Sequence, residues 1–218
     1  MQQIIKHFTD NDAYTFSCQY YVLQTYPRAE VEYTFFDRKG TIYPEGFADL
    51  LNEQLSFMRN VVITEEEIAF MQKKMYYLPK WYFIFLRGYR FNPNEVTVSQ
   101  TSEGHLDISV RGKWYSTIMW EMPILSIVSE LSHILKGDTQ KYDFEREMER
   151  AAEKTKKILA NGLILGDMGT RRRFSFEHQD NVIRTMKEVY QQEGYEDTDG
   201  FHSWTGKFTG TSNVYFAM

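Results

Sequence analysis

The stretch from Asp143 to Met218 limits the possible folds more than any other. A charged helical pattern, a short apolar run and a glycine corner follow one another, and the same three units then recur in the same order. "DFEREMERAAEKTKKILANG" sets Phe144, Met148, Ala151, Thr155, Ile158 and Leu159 on one helical face, with Asn161-Gly162 as its close. "LIL" reads as a short buried strand running into "GDMGTRRR". Ser175 suits a cap for a helix whose inward residues are Val182, Ile183, Met186, Val189 and Tyr190. "KFTGTSNVYFAM" supplies a second strand, a second corner and the start of another helix. Such alternation marks a parallel α/β sheet or barrel, in which ligands bind beyond the carboxyl ends of the strands.

The preceding residues have a different rhythm. Asp12 can cap a helix through "AYTFSCQYYVLQTY", with Tyr14, Cys18, Tyr21, Val22 and Thr25 inward and Pro27 as its stop. "VEYTFFDRKG" alternates as a strand up to a turn at Lys39-Gly40. Phe47, Leu50, Leu51, Leu55 and Met58 keep helical spacing, and Thr64 with Glu67 forms a capping-box signature ahead of Ile68 and Met71. "KWYFIFLRGYRFNP" predicts a short aromatic helix against the sheet, ended by Pro93. Val96 to Trp120 predicts three antiparallel strands separated by turns at Glu103-Gly104 and Arg111-Gly112, and an apolar helix then spans Met122 to Leu135. The expected fold class is therefore an α+β N-terminal domain over residues 1–137. The start of an α/β (TIM-like) barrel, incomplete in this chain, follows over residues 138–218. A complete eightfold barrel needs roughly 250 residues, and two strands alone would leave edges unpaired.

Charge narrows the choice of partners. The 25 Lys and Arg against 30 Asp and Glu leave a formal charge of −5, which argues against a general nucleic-acid or membrane-surface partner. The start "MQQIIKHFTD" has no long apolar run of the kind a signal peptide needs. No uninterrupted run approaches the roughly 18 apolar residues of a membrane span, so a cytoplasmic location is expected. The single cysteine, Cys18, excludes an internal disulfide framework and a multi-cysteine zinc site, and is expected as a small buried hydrophobe. No metal-ligand spacing, Ser-His-Asp set or P-loop occurs, and His105 and His133 default to structural roles.

Against that background, Arg171, Arg172 and Arg173 are conspicuous at the end of an apolar strand. Gly169 permits close backbone approach, the following helix N-terminus offers amides to an anion, and guanidinium forks suit carboxylate or phosphate. Three consecutive side chains diverge by about a hundred degrees each on a helix, so all three cannot face one ligand. A solvated basic turn with one arginine paired to Asp167 or Glu177 stands as the alternative. Gly210-Thr211-Ser212-Asn213 is open to two readings in the same way, as an anion corner or as plain helix capping by Ser212.

Five ordered blocks, "TDNDAYTFSCQYYVLQTYP", "FLRGYRFNP", "GHLDISVRGKWYSTIMWEMPILSIVSEL", "GTRRRFSFEHQ" and "GTSNVYFA", resemble nicotinate phosphoribosyltransferase over nearly the whole chain. The resemblance implies joining of nicotinate to 5-phosphoribosyl 1-diphosphate, with nicotinate mononucleotide and pyrophosphate as products. It also implies coupled ATP hydrolysis, assistance by Mg2+, a role in NAD salvage, and a homodimer with sites between subunits. Carried over by position, Tyr14 matches the aromatic that stacks on the pyridine from the neighbouring subunit. Met168 stands where relatives have a phenylalanine on the other face of the ring, and Arg171 matches the arginine near base and ribose phosphate. Thr211 and Ser212 fall in the base-binding corner. Ser212 stands where relatives acting on nicotinamide carry an aspartate, which favours the acid over the amide. Arg172 and Arg173 are left to the fold, neighbouring carboxylates or the dimer. The family's phosphorylated histidine belongs to a "GT-x-x-HE"-like motif after "GTSN". None of the five histidines stands in such a motif, so no catalytic residue is assigned and the chain alone is expected to lack coupled activity. A truncated, non-catalytic module of the same family, binding an anion or a partner, is the alternative.

Overall fold

A computed structural model describes residues 1–38 and 40–218. The first region comprises α1 (Ala13–Thr25), β1 (Glu30–Thr34), α2 (Phe47–Phe57), α3 (Glu65–Lys74), α4 (Lys80–Gly88), β2 (Val96–Gln100) and β3 (Leu106–Lys113). The single turn α5 (Trp114–Thr117) and the long helix α6 (Glu121–Leu135) complete it. In the expected turn after β1, Lys39 lies outside the described residues.

β1, β3 and β2 form an antiparallel sheet in that order, with Glu32 opposite Arg111 and Val98 opposite Ile108. The expected third strand after Gly112 does not exist. β3 runs straight through Arg111-Gly112 because β1 pairs along its other edge as far as Lys113. The Trp114 amide then donates to Ala29 O, and the chain leaves the sheet as helix.

The inward face of α1 also differs from expectation. Thr15, Phe16, Gln19 and Val22 are buried, whereas Tyr14, Tyr21, Thr25 and Cys18 are exposed, so Cys18 is not the buried hydrophobe expected of it. The buried Gln19 broke the pattern: its amide donates to Tyr115 O at 2.9 Å, and its oxygen lies 2.6 Å from the Tyr82 hydroxyl. α4 thereby leans on α1 through Tyr82. It ends at Gly88, well before Pro93, which instead opens the 3-10 turn Pro93–Glu95. The capping box at Thr64 and Glu67 forms as expected.

Phe47, Leu51, Leu86, Ile108, Trp120 and Ile127 centre the core between the helices and the sheet. The run Trp114–Leu135 is long and apolar enough to cross a membrane by length and hydropathy, as single core helices often are. Met119, Trp120, Met122, Ile127 and Leu131 face the interior.

The second region comprises α7 (Phe144–Ala160), β4 (Ile164–Asp167), α8 (Phe176–Gln191), the hairpin β5 (Gly194–Asp197) and β6 (Gly200–Ser203), and β7 (Lys207–Thr211). Asp143 caps α7 and Ser175 caps α8 through their side chains. β4 and β7 are parallel, with Leu165 opposite Phe208 and Asp167 opposite Thr211. The alternation of helix and parallel strand is thus present, and the fold mixes α and β elements as expected. Two details differ. The hairpin has no apolar alternation to announce it, and the "LIL" run is not buried: Leu163 is exposed just ahead of β4, and Ile164 is exposed because its face of the two-stranded sheet is uncovered. Beyond β7 the chain makes a single turn, with the Ala217 amide on Asn213 O.

Candidate functional site

Residues 9–13 and 212–215 run antiparallel to one another, and this pairing builds the site. The amide of Ala13 donates to Ser212 O at 2.8 Å, Val214 to Asn11 O at 2.9 Å and Tyr215 to Thr9 O at 2.9 Å. Asp12 is thereby brought beside Ser212, at the carboxyl end of β7. From the other side, α6 seats the arginine corner: Ser126 donates to Thr170 O and Ser129 to Arg173 O. The N-terminus of α6 carries Glu121 to the same place.

A connected polar network results. Arg171 Nη1 donates to Glu121 at 2.9 Å, and Nη2 lies 3.8 Å from Asp12. The Tyr14 hydroxyl donates to Glu121 at 3.3 Å, and Ser212 Oγ donates to Asp12 Oδ1 at 2.6 Å. Thr211 Oγ1 donates to Asp167 at 2.7 Å, and Asp167 also accepts from Gln179 and from the Gly169 amide. Burial raises the Asp12 carboxyl above its ordinary value, against the opposing pull of the Ser212 hydrogen bond and the Arg171 charge. Tyr14 is raised by burial and by the charge of Glu121.

Two expectations about the corners need correction. The amides after β7 are not open to an anion. Ser212 N donates to Asp167 O, Asn213 N to Thr211 Oγ1, Val214 and Tyr215 to the N-terminal segment, and Phe216 N to Asn213 Oδ1. Nor does any of the three arginines pair with Asp167 or Glu177 among the described residues. Arg171 takes Glu121 and Asp12, and Arg172 is exposed. Arg173 is fully buried, with both oxygens of Asp10 at 2.8 Å from Nη1 and Glu130 on Nε. Asn213 Nδ2 adds a third link to Asp10.

Hollows flank the network on two sides. One, of about 410 Å³, is lined by Tyr14, Tyr33, Phe35, Ile108, Ile124 and Glu121. The other, of about 650 Å³, is lined by Thr211 and Ser212 together with Tyr77, Phe208, Phe216 and Lys187. Met168 is 62% exposed beside the corner.

Comparison with known proteins then decides the family. The model of the nicotinate phosphoribosyltransferase N-terminal domain matches residues 9–129, and that of the nicotinate phosphoribosyltransferase family matches residues 163–218. The chain belongs to the nicotinate phosphoribosyltransferase family. The Desulforapulum autotrophicum nicotinate phosphoribosyltransferase is 38% identical over 183 residues, covering 84% of this chain and 46% of its own length. The crystal structure of the Porphyromonas gingivalis nicotinate phosphoribosyltransferase superposes with a TM-score of 0.83 at 33% identity, covering 98% of this chain and 51% of that one. A Saccharomyces cerevisiae protein described as a putative nicotinate phosphoribosyltransferase gives the same TM-score at 29% identity, covering 100% and 52%. The chain spans about half the length of the relatives it matches.

Of the positions carried over from the nicotinate phosphoribosyltransferase resemblance, Tyr14, Arg171 and Ser212 are joined through Asp12 and Glu121 within one chain, and Thr211 is joined to Asp167. Neither Asp12 nor Glu121 stands out in the sequence as a site residue. Asp12 stands at the N-cap of α1 as expected, but its side chain makes no cap hydrogen bond and faces a serine 200 residues away. The acidic pair in "FTDNDAY" was the available signal, but its partners are distant in sequence.

Proposed function

We propose that this chain carries the substrate-binding corner of a nicotinate phosphoribosyltransferase. The complete enzyme forms nicotinate mononucleotide and pyrophosphate from nicotinate and 5-phosphoribosyl 1-diphosphate, with coupled ATP hydrolysis, in NAD salvage. The observation that carries this reading is the convergence of Arg171, Thr211 and Ser212 beyond the carboxyl ends of β4 and β7, in a chain of that family. Displacement at the anomeric carbon passes through a state with positive charge on the sugar while a diphosphate leaves. Positioning and charge stabilisation therefore suffice, with no side-chain nucleophile on the sugar. In this reading Arg171 meets anionic oxygens, Met168 and the Tyr14 of the neighbouring subunit flank the pyridine, and Thr211 keeps Asp167 and the corner backbone in place.

Mg2+ enters this reading as the partner of the diphosphate. Among the described residues no group of three or more His, Cys, Asp or Glu could hold a metal by itself, and Asp12, Glu121 and Asp167 already have hydrogen-bond partners. No residue is assigned to ATP. The finer architecture belongs to the same proposal. β4 and β7 are read as the first strands of an α/β barrel over residues 138–218, following an α+β domain over 1–137, in a cytoplasmic homodimer. The exposed Leu163 and Ile164 support that reading, because a longer sheet or barrel would cover them.

Thermal-shift titration with nicotinate and 5-phosphoribosyl 1-diphosphate tests the proposal. Both ligands should raise the melting temperature, and Arg171→Ala should abolish the shift while leaving the fold intact. A wild-type chain indifferent to both would sink it. The non-catalytic module is the second reading, and the clamping of Arg171 by two carboxylates favours it. Binding without any nicotinate mononucleotide formation in the complete protein would establish it.

A further inference from the structure

Ser212 has one proton, and the structure shows where it goes. Its Oγ lies 2.6 Å from Asp12 Oδ1, inside a network in which Asp12 is 2% exposed and has the Arg171 guanidinium 3.8 Å away. Ser212 Oγ donates to Asp12 Oδ1, and with its one proton engaged there the serine can show a ligand nothing but lone pairs. The neighbouring amides cannot supply the missing donors, because those of residues 212 to 216 are all engaged within the chain.

We infer that Asp12 is a specificity-determining, positioning residue that turns Ser212 into an acceptor-only group. The corner by itself then favours an amide N–H over a carboxylate, and preference for the acid has to come from cations, Arg171 foremost. This inference rests on the reading of the site as a pyridine-binding corner. It also revises the part given to the serine: against an aspartate at position 212 a hydroxyl is the milder group, but with Asp12 behind it the hydroxyl is not a donor. The charge of Asp12, buried immediately behind Oγ, disfavours a carboxylate further.

Saturation-transfer NMR titrations of the 218-residue chain with nicotinate and with nicotinamide provide the test, run on the wild type, Asp12→Asn and Ser212→Ala. A single hydrogen bond to a polar ligand group corresponds to about a tenfold change in affinity. Ser212→Ala should therefore weaken nicotinamide by about that factor and leave nicotinate nearly unchanged. In Asp12→Asn the side-chain amide can donate to Oγ and free the serine proton, so the ratio of acid to amide affinity should rise by about tenfold. Weakened nicotinate binding in Ser212→Ala would show that the hydroxyl donates to the ligand, and would overturn the inference. A ratio unmoved in both variants would reduce Asp12 to a structural role and overturn it equally. If Asp12→Asn does not fold, Ser212→Ala alone decides. A wild-type chain that binds neither pyridine removes the site reading and the inference together, an outcome distinct from an unmoved ratio.

Discussion

Arg173 brings a full positive charge into the interior and meets two carboxylates there, Asp10 and Glu130, with Phe176 against its guanidinium carbon at 5.4 Å. Its Nη2 has no partner among the described residues, so the cluster is not fully satisfied. Removing the cation is the costly change: Arg173→Met should lower stability by about 3–5 kcal/mol in urea denaturation, because the buried carboxyl groups of Asp10 and Glu130 lose their charged hydrogen-bond donor. Glu130 adds a pH signature. Burial pushes its carboxyl up to about 7, with the Arg173 charge and hydrogen bond pulling the other way. A group raised above its ordinary value of 4.5 holds its proton in the folded chain where the unfolded chain has released it. Its contribution to stability is thus complete below pH 4.5 and is lost as pH rises through about 7. Denaturation midpoints between pH 4.5 and 8 should fall with pH in the wild type, and less steeply in Glu130→Gln. Equal slopes would mean that Glu130 is ionised across the whole range. "RRR" announces charge at a strand end, but nothing in those letters separates the buried structural Arg173 from the partly exposed Arg171 two residues before it.

Elements whose apolar spacing is clean were legible. Leu51 and Leu55 face inward in α2, Ile68 and Met71 in α3, Leu159 in α7 and Ile183 and Val189 in α8, all as the periodicity required. The capping box of α3 was equally readable, since it is a contact between residues three apart; Thr64→Ala should cost about 1 kcal/mol by thermal melting. The structure departs from the local pattern where a distant partner overrides it, as with Gln19 buried against Tyr82 and β3 extended by β1, and where a face stays uncovered, as at Ile164. The approach to β7 depends on one glycine. A Cβ on Gly206 would sit 2.4 Å from Leu163 O and 2.8 Å from Leu159 O, where the chain passes over the end of α7. Gly206→Ala should therefore destabilise by about 1–3 kcal/mol, measured by chemical denaturation, since backbone and not a flexible side chain must move. A neutral result would show that the passage is looser than the contacts indicate.

At the scale of the whole molecule, the proposed corner is the place where residues 7–13 meet residues 212–215. His7 stacks on Tyr215 at 3.8 Å, residues 9–13 pair with 212–215, and the buried Arg173 joins Asp10 to Glu130. Damage to this junction should therefore disturb stability and ligand binding together, whereas the uncovered face of β4 should tolerate change. Ile164 is 74% exposed, and Ile164→Lys should leave the stability of this chain within about 0.5 kcal/mol in urea. A large loss would mean that this face is covered in solution. What the sequence determined by itself was the main helices, the alternation of helix and parallel strand after residue 143, the caps at Thr64 and Ser175, the family blocks and the letters at the two corners. Those depend on contacts within a few residues or on direct likeness. Only the tertiary structure decided which arginine is buried, which amides are already engaged, and that Asp12 accepts the hydrogen bond of Ser212. Each of those outcomes depends on groups up to 200 residues apart, and local periodicity carries no information about such a pairing.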